Sequence, residues 1–200
     1  MRIRTIPLLM IVLLVLGSTA AFAEGGTKHR DDHGKKGGHH KGVLVLHATE
    51  TSATYITADG RVFTDEDEEE VDDLMPSAGD RFLLVDTLYS DEARTALVGR
   101  NDIECTVTAF SGTSEEDFSQ NLLCHGVVTV DGAGTLAWQG AVQFSSMTEF
   151  DPAMPFATVA ITGGTGQYLG ASGQAKLFDT STDDDESLTR YEVKLTAGRR

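Results

Sequence analysis

The stretch Thr158–Lys176, TVAITGGTGQYLGASGQAK, decides how the rest of the chain is read. A β-type run (Thr158, Val159, Ile161, Thr162) enters four glycines, Gly163, Gly164, Gly166 and Gly170. It leaves through Gly173 into a second run, Gln174 to Phe178. A phosphate loop is the first reading to test, and it fails. The glycines are not spaced G-x-G-x-x-G, no Lys-Ser/Thr pair follows, and the next segment has no helical pattern. Glycines that permit positive φ and close backbone approach instead predict a corner joining two strands.

Working outward, strand signals recur at short spacing. Arg81 to Tyr89 reads as a long strand, with Phe82, Leu84, Asp86 and Leu88 on one face and Leu83, Val85, Thr87 and Tyr89 on the other. Ile103 to Phe110 follows, then a polar loop, Ser111 to Asp117. Val127 to Val130 and Thr135 to Phe144 flank an Asp131-Gly132 turn signal. Two prolines, Pro152 and Pro155, stiffen a crossing loop, and Thr189 to Thr196 is the last run. In that run Tyr191, Val193 and Leu195 share one face. Near the start, Val43 to His47 and Ala53 to Thr57 read as two strands joined by polar Thr49 to Ser52. With no helical periodicity, about nine such runs indicate an all-β sandwich or barrel.

The ends of the chain differ from this body. Arg2 and Arg4 precede an apolar run, Ile6 to Leu16, and Ala21-Phe22-Ala23 fits an A-x-A cleavage site. Residues 1–23 therefore read as a secretory signal peptide, too short for a membrane span. Residues 24–42 are rich in Gly, Lys and His and cannot bury a core, so they read as a disordered linker. The folded domain is expected over 43–200, secreted and free of the membrane. His29, His33, His39 and His40 in the linker are candidate metal ligands. The chain carries 16 basic and 31 acidic residues, a net charge of −15. That balance excludes nucleic acid as a partner. The acidic run Asp65 to Glu70 lacks the D-x-[DN]-x-[DN]-G calcium pattern and reads as a solvated loop.

An exported chain with two cysteines pairs them, so Cys105 and Cys124 are expected to be bridged. The bridge would stabilise the fold by on the order of 3 kcal/mol. If both lie opposite each other in one hairpin, Ile103, Val107, Leu122 and Gly126 share their face. Glu104 then stands opposite His125 on the other face. A carboxylate beside an imidazole is a candidate acid/base pair if that face points inward, and an exposed ion pair if it points outward.

Three segments also carry a resemblance. ITGGTGQYLGASGQA resembles the GGTG-x-[FY]-x-x-A-x-G segment of dirigent proteins and the related allene oxide cyclases. Gly79-Asp80, Asp86 to Ser90, and Val98-Gly99-Arg100 resemble the family's GD…D-x-L…VGR stretch, and Gly134 to Gly140 resembles its GT-[LI]-x-x-x-G strand. The three are collinear and cover Gly79 to Lys176. The resemblance implies an eight-stranded antiparallel β-barrel that holds a small hydrophobic molecule in its mouth or lumen, as a dimer or trimer and without a cofactor. It makes Asp86 the first catalytic candidate, with Phe82, Leu84, Tyr89 and Trp138 as ligand-binding candidates. The family either closes a ring on a fatty-acid-derived epoxide or orients two phenoxy radicals. Here Ser172 replaces the family's Arg, and Thr158 stands where an Asp is usual, so lignan-type coupling is not expected. A cyclase or isomerase, a non-catalytic binding barrel, and a metal-binding exported protein remain as alternatives.

Overall fold

The computed structural model describes residues 43–64, 67, 74–114, 117–145, 152–181 and 187–196. The expected signal peptide, the expected linker with His29, His33, His39 and His40, and most of the acidic run lie outside them. Nine strands form one sheet: β1 (Val43–Ile56), β2 (Val62–Thr64), β3 (Arg81–Tyr89), β4 (Leu97–Ser114), β5 (Asp117–Val130), β6 (Gly134–Ser145), β7 (Ala157–Gly164), β8 (Ser172–Asp179) and β9 (Leu188–Thr196). Every pairing is antiparallel, and β1 also pairs β9. That last pairing closes β1 and β3 to β9 into an eight-stranded barrel, with β2 as a short flap on the end of β1. Closure leaves the barrel wall no free edge to recruit another chain.

The first two predicted strands are one. β1 runs unbroken through Thr49 to Ser52, and a bulge between Glu50 and Ser52 bends it. The polar residues that suggested a loop mark that bend: Thr51 is the extra residue, and its hydroxyl donates to the Val85 carbonyl at 3.0 Å. The bend lets one strand pair β9 with its first half and β2 with its second. The predicted loop Ser111 to Asp117 is also mostly strand, because β4 continues to Ser114 and β5 begins at Asp117. Gly112, at φ 125°, lets the Asp117 carbonyl approach where a Cβ would lie 1.9 Å from it.

Alternation fills the interior. Leu46 and Ala48 of β1, Leu88 of β3, Val107 of β4, Leu122 and Val128 of β5, Leu136 and Val142 of β6, Val159 and Ile161 of β7, Ala175 and Leu177 of β8, and Val193 of β9 make one buried cluster. Trp138 lies across β5 at Gly126, where a Cβ would fall 2.5 Å from the indole. Cys105 and Cys124 face each other in register, with sulfurs 2.06 Å apart, inside the wall.

The glycine corner is the β7–β8 connection, a single 3-10 turn at Gly166–Tyr168. It docks by backbone on the turn before β6. Thr165 N–H donates to the Thr135 carbonyl at 2.9 Å, and Gln167 N–H to Ala133 at 2.7 Å. The hydroxyls of Thr135 and Thr165 are 2.8 Å apart. A Cβ on Gly134 would lie 2.3 Å from the Thr165 carbonyl oxygen. The GT and GGTG segments are thus two halves of one contact, and Gly134, Gly164 and Gly166 serve chain against chain, not phosphate.

Candidate functional site

At mid-barrel the apolar face of three strands is interrupted by polar groups that meet. Alternation turns Asp86 (β3), Asn101 (β4) and Tyr191 (β9) inward, and Trp138 (β6) reaches them with its indole N–H. Asp86 is 5% exposed and Asn101 0%. Tyr191 Oη donates to Asp86 Oδ2 at 2.6 Å. Asn101 Nδ2 lies 3.3 Å from the same oxygen and 3.2 Å from Tyr191 Oη. Trp138 Nε1 donates to Asn101 Oδ1 at 3.1 Å. Both donors to Asp86 converge on Oδ2, so Oδ1 takes no part in this network.

Burial raises the Asp86 pKa, and the hydrogen bonds from Tyr191 and then Asn101 pull against it. Burial, then the Asp86 charge, lifts Tyr191 well above the usual phenol range. Asp86 is therefore a carboxyl that resists ionisation beside a phenol that keeps its proton. Glu50 stands opposite Asp86 in the β1–β3 register, and its negative charge adds to the upward pull on Tyr191.

Burial of the inward side chains falls off toward the β3 N-terminal end. Phe82 and Leu84 face inward on β3 and Ile103 on β4, yet all three are only partly buried. Beyond them Phe110, Phe144 and Phe156 ring the same end, with Phe144 and Phe156 centroids 6.0 Å apart. Gln120, 4% exposed, points in among them, and its Oε1 has no hydrogen-bond partner. These aromatic side chains rim this end of the barrel, its mouth, and the polar cluster lies deeper in the same interior.

The predicted site residues divide. Asp86 and Trp138 are in the cluster, and Leu84 is in the mouth. Phe82 is at its rim, stacked on Tyr55 with centroids 5.0 Å apart. Tyr89 points the other way: it is on the outer face of β3, paired in register with His47, so it offers no phenol to the mouth. Glu104 and His125 stand opposite each other as expected, 3.5 Å apart, but on the outer face. Arg81 joins them at 3.5 Å from Glu104, and the side chains are 34 to 61% exposed. They form a surface ion-pair group on the far side of the wall from Asp86. Among the described residues no three metal-ligating side chains gather in one place.

Asn101, Tyr191 and Glu50 were not anticipated. For Asn101 the signal was present: it is the one amide in the inward series Asn101, Ile103, Cys105, Val107. The Asp80 of the GD segment, also buried, is a structural hub: it accepts from Tyr55 Oη, from Ala58 N–H at 2.6 Å and from Ser77 N–H at 2.7 Å. It pins the 57–80 connection to the barrel. Thr158 and Ser172 are exposed, away from the cluster.

The closed eight-stranded antiparallel wall, with its glycine corner, shares its fold with dirigent proteins of known structure. Solved structures similar to it include two pterocarpan synthase dirigent proteins, each 17% identical with a TM-score of 0.50. They cover 77% and 80% of this chain and 88% and 96% of their own. A pyocyanin demethylase also matches, 22% identical over 77% of this chain and 99% of its own, with a TM-score of 0.49. No protein-family model and no curated protein matches the chain.

Proposed function

We propose that the protein is an exported barrel that binds a small hydrophobic compound through its aromatic mouth and holds a polar group of that compound against Asp86. The observation that carries the reading is the buried Asp86–Tyr191–Asn101–Trp138 network. A polar network in a barrel core costs desolvation that apolar packing would avoid, and two of its members, Tyr191 and Asn101, converge on one carboxyl oxygen. Partly exposed inward residues lead to it from outside, the usual arrangement of apolar walls and few polar groups in a small-molecule site. The pterocarpan synthase dirigent proteins lend the scaffold as an analogy. The leader-like N-terminus and the cysteine bridge support export.

Asp86 also gives the barrel a chemistry. A carboxyl with a raised pKa donates a proton to a bound oxygen, the step that assists ring closure or isomerisation of a restrained guest. Binding is the primary reading and turnover the finer one, and one substitution separates them. Asp86→Asn keeps the shape of the floor and removes the transferable proton.

The test is a titration with N-phenyl-1-naphthylamine, an uncharged aromatic probe. The account expects saturable quenching of Trp138, the single tryptophan, at one probe per barrel. Leu84→Arg, which puts a charge in the mouth, weakens binding at least tenfold, and Glu104→Gln on the outer face leaves it unchanged. Non-saturable quenching, or equal loss in both variants, contradicts the proposal.

A further inference from the structure

The inward residues of β1 and β9 alternate with outward ones, and the outward set builds a second concavity. The connection after β3 folds back over the outside of the β1–β9 seam and encloses a groove of about 570 Å³. Tyr191 points into the barrel, while its neighbours Arg190 and Glu192 line this groove.

Two guanidinium groups face it, in a chain whose net charge is −15. Both are held in place by other contacts. Arg190 stacks on Phe178, its Cζ 4.2 Å from the ring centroid. Arg94 reaches Thr180 Oγ1 at 3.3 Å and the Glu92 carbonyl at 3.2 Å. Its backbone sits at φ 53°, the only non-glycine residue with positive φ among those described. Asp91 secures that connection by accepting from Thr95 and Ala96 N–H, the latter at 2.7 Å. Yet the Nε–H of Arg94 and that of Arg190 are both buried without a hydrogen-bond acceptor. Glu192 Oε1 lies 3.4 Å from Arg190 Nε, an ion pair out of hydrogen-bonding line. Two fixed forks with unfilled donors are what a planar anion needs, and the immobilisation is already in place.

The remaining walls narrow the ligand. Val45 and Leu188 are apolar, and His47 is mostly buried between them and the arginines. Burial first, then Arg94, lowers the His47 pKa against an opposing pull from Glu92, so it presents a neutral imidazole. Glu92 and Glu192 balance the two arginines and repel a dianion more than a monoanion. We infer that this outer groove is a second binding site, for a small organic monocarboxylate whose apolar body rests on Val45 and Leu188 and whose carboxylate engages Arg94 and Arg190.

Benzoate titrated into the intact protein, followed by the Arg Nε–H resonances in ¹⁵N-edited NMR, tests this. The expected result is saturable shifts of the Arg94 and Arg190 signals. Affinity should fall at least tenfold in Arg94→Ala and in Val45→Glu; the latter adds a like charge at an exposed wall position and removes no fixed contact. Leu84→Arg, inside the barrel, leaves benzoate binding intact and so keeps this site distinct from the mouth. Benzyl alcohol and inorganic phosphate are expected to bind at least tenfold more weakly. Absence of saturation, binding indifferent to both groove variants, or phosphate or benzyl alcohol binding as well as benzoate would overturn the assignment.

Discussion

Asp86 and Glu104 are both carboxyl groups on adjacent, hydrogen-bonded strands, and both have a ring-bearing partner on another strand. One step in strand alternation separates their fates. Asp86 faces in, meets Tyr191 at 2.6 Å and is 5% exposed. Glu104 faces out, meets His125 at 3.5 Å and shares itself with Arg81. Pairing alone therefore says little about chemistry. What distinguishes a candidate catalytic carboxyl is the loss of water around it, which raises its pKa and leaves its partners nowhere else to bond.

The largest effect should come from crowding the inner side. Gly126→Val drives a side chain into the Trp138 indole, where even a Cβ falls at 2.5 Å, and should cost about 3 kcal/mol or more in chemical denaturation. Next is Asp86→Ala, which leaves the Tyr191 hydroxyl without its acceptor and takes one of two acceptors from the Asn101 amide. A loss of about 2–4 kcal/mol is expected from the same measurement.

Asp86→Asn should be milder and should show in pH dependence. The native pKa of Asp86 lies above its unfolded value, so the folded state holds the proton more tightly. Its stabilising contribution is then full below the unfolded pKa and declines as pH rises through the native one. The stability of the wild type minus that of Asp86→Asn should fall with rising pH above about 4. A difference that rises would mean the carboxylate, not the acid, is the favoured native form. The smallest effect belongs outside: Glu104→Gln should change stability by less than about 1 kcal/mol, and less still in high salt.

The same contrast explains how much was legible in the sequence. Period-two alternation and the cysteine spacing identified the β4–β5 register, and with it the Glu104–His125 pairing, because a hairpin is local. The glycine corner was legible because its spacing contradicts a phosphate loop. Which face of the wall points inward was not legible, since β3 is apolar on both faces and β5 exposes Leu123 and Val127 on its outer one. Tyr191 meets Asp86 from a strand 105 residues away, brought there only by barrel closure. The bend in β1 was hidden for a related reason: Thr49 to Ser52 is as polar as a loop, and only pairing on both sides makes it a strand. Tyr89 follows the alternation read for β3 and falls on the outer face, away from Asp86.

The central claim is that the barrel interior holds one buried polar network, with Trp138 in it and Glu104 outside it. The indole N–H of the single tryptophan reports this directly by NMR hydrogen exchange. The account predicts slow exchange, and a shift of that resonance in Asp86→Asn but not in Glu104→Gln. An indole N–H that exchanges as freely as an exposed one, or that responds to Glu104→Gln and ignores Asp86→Asn, would contradict it.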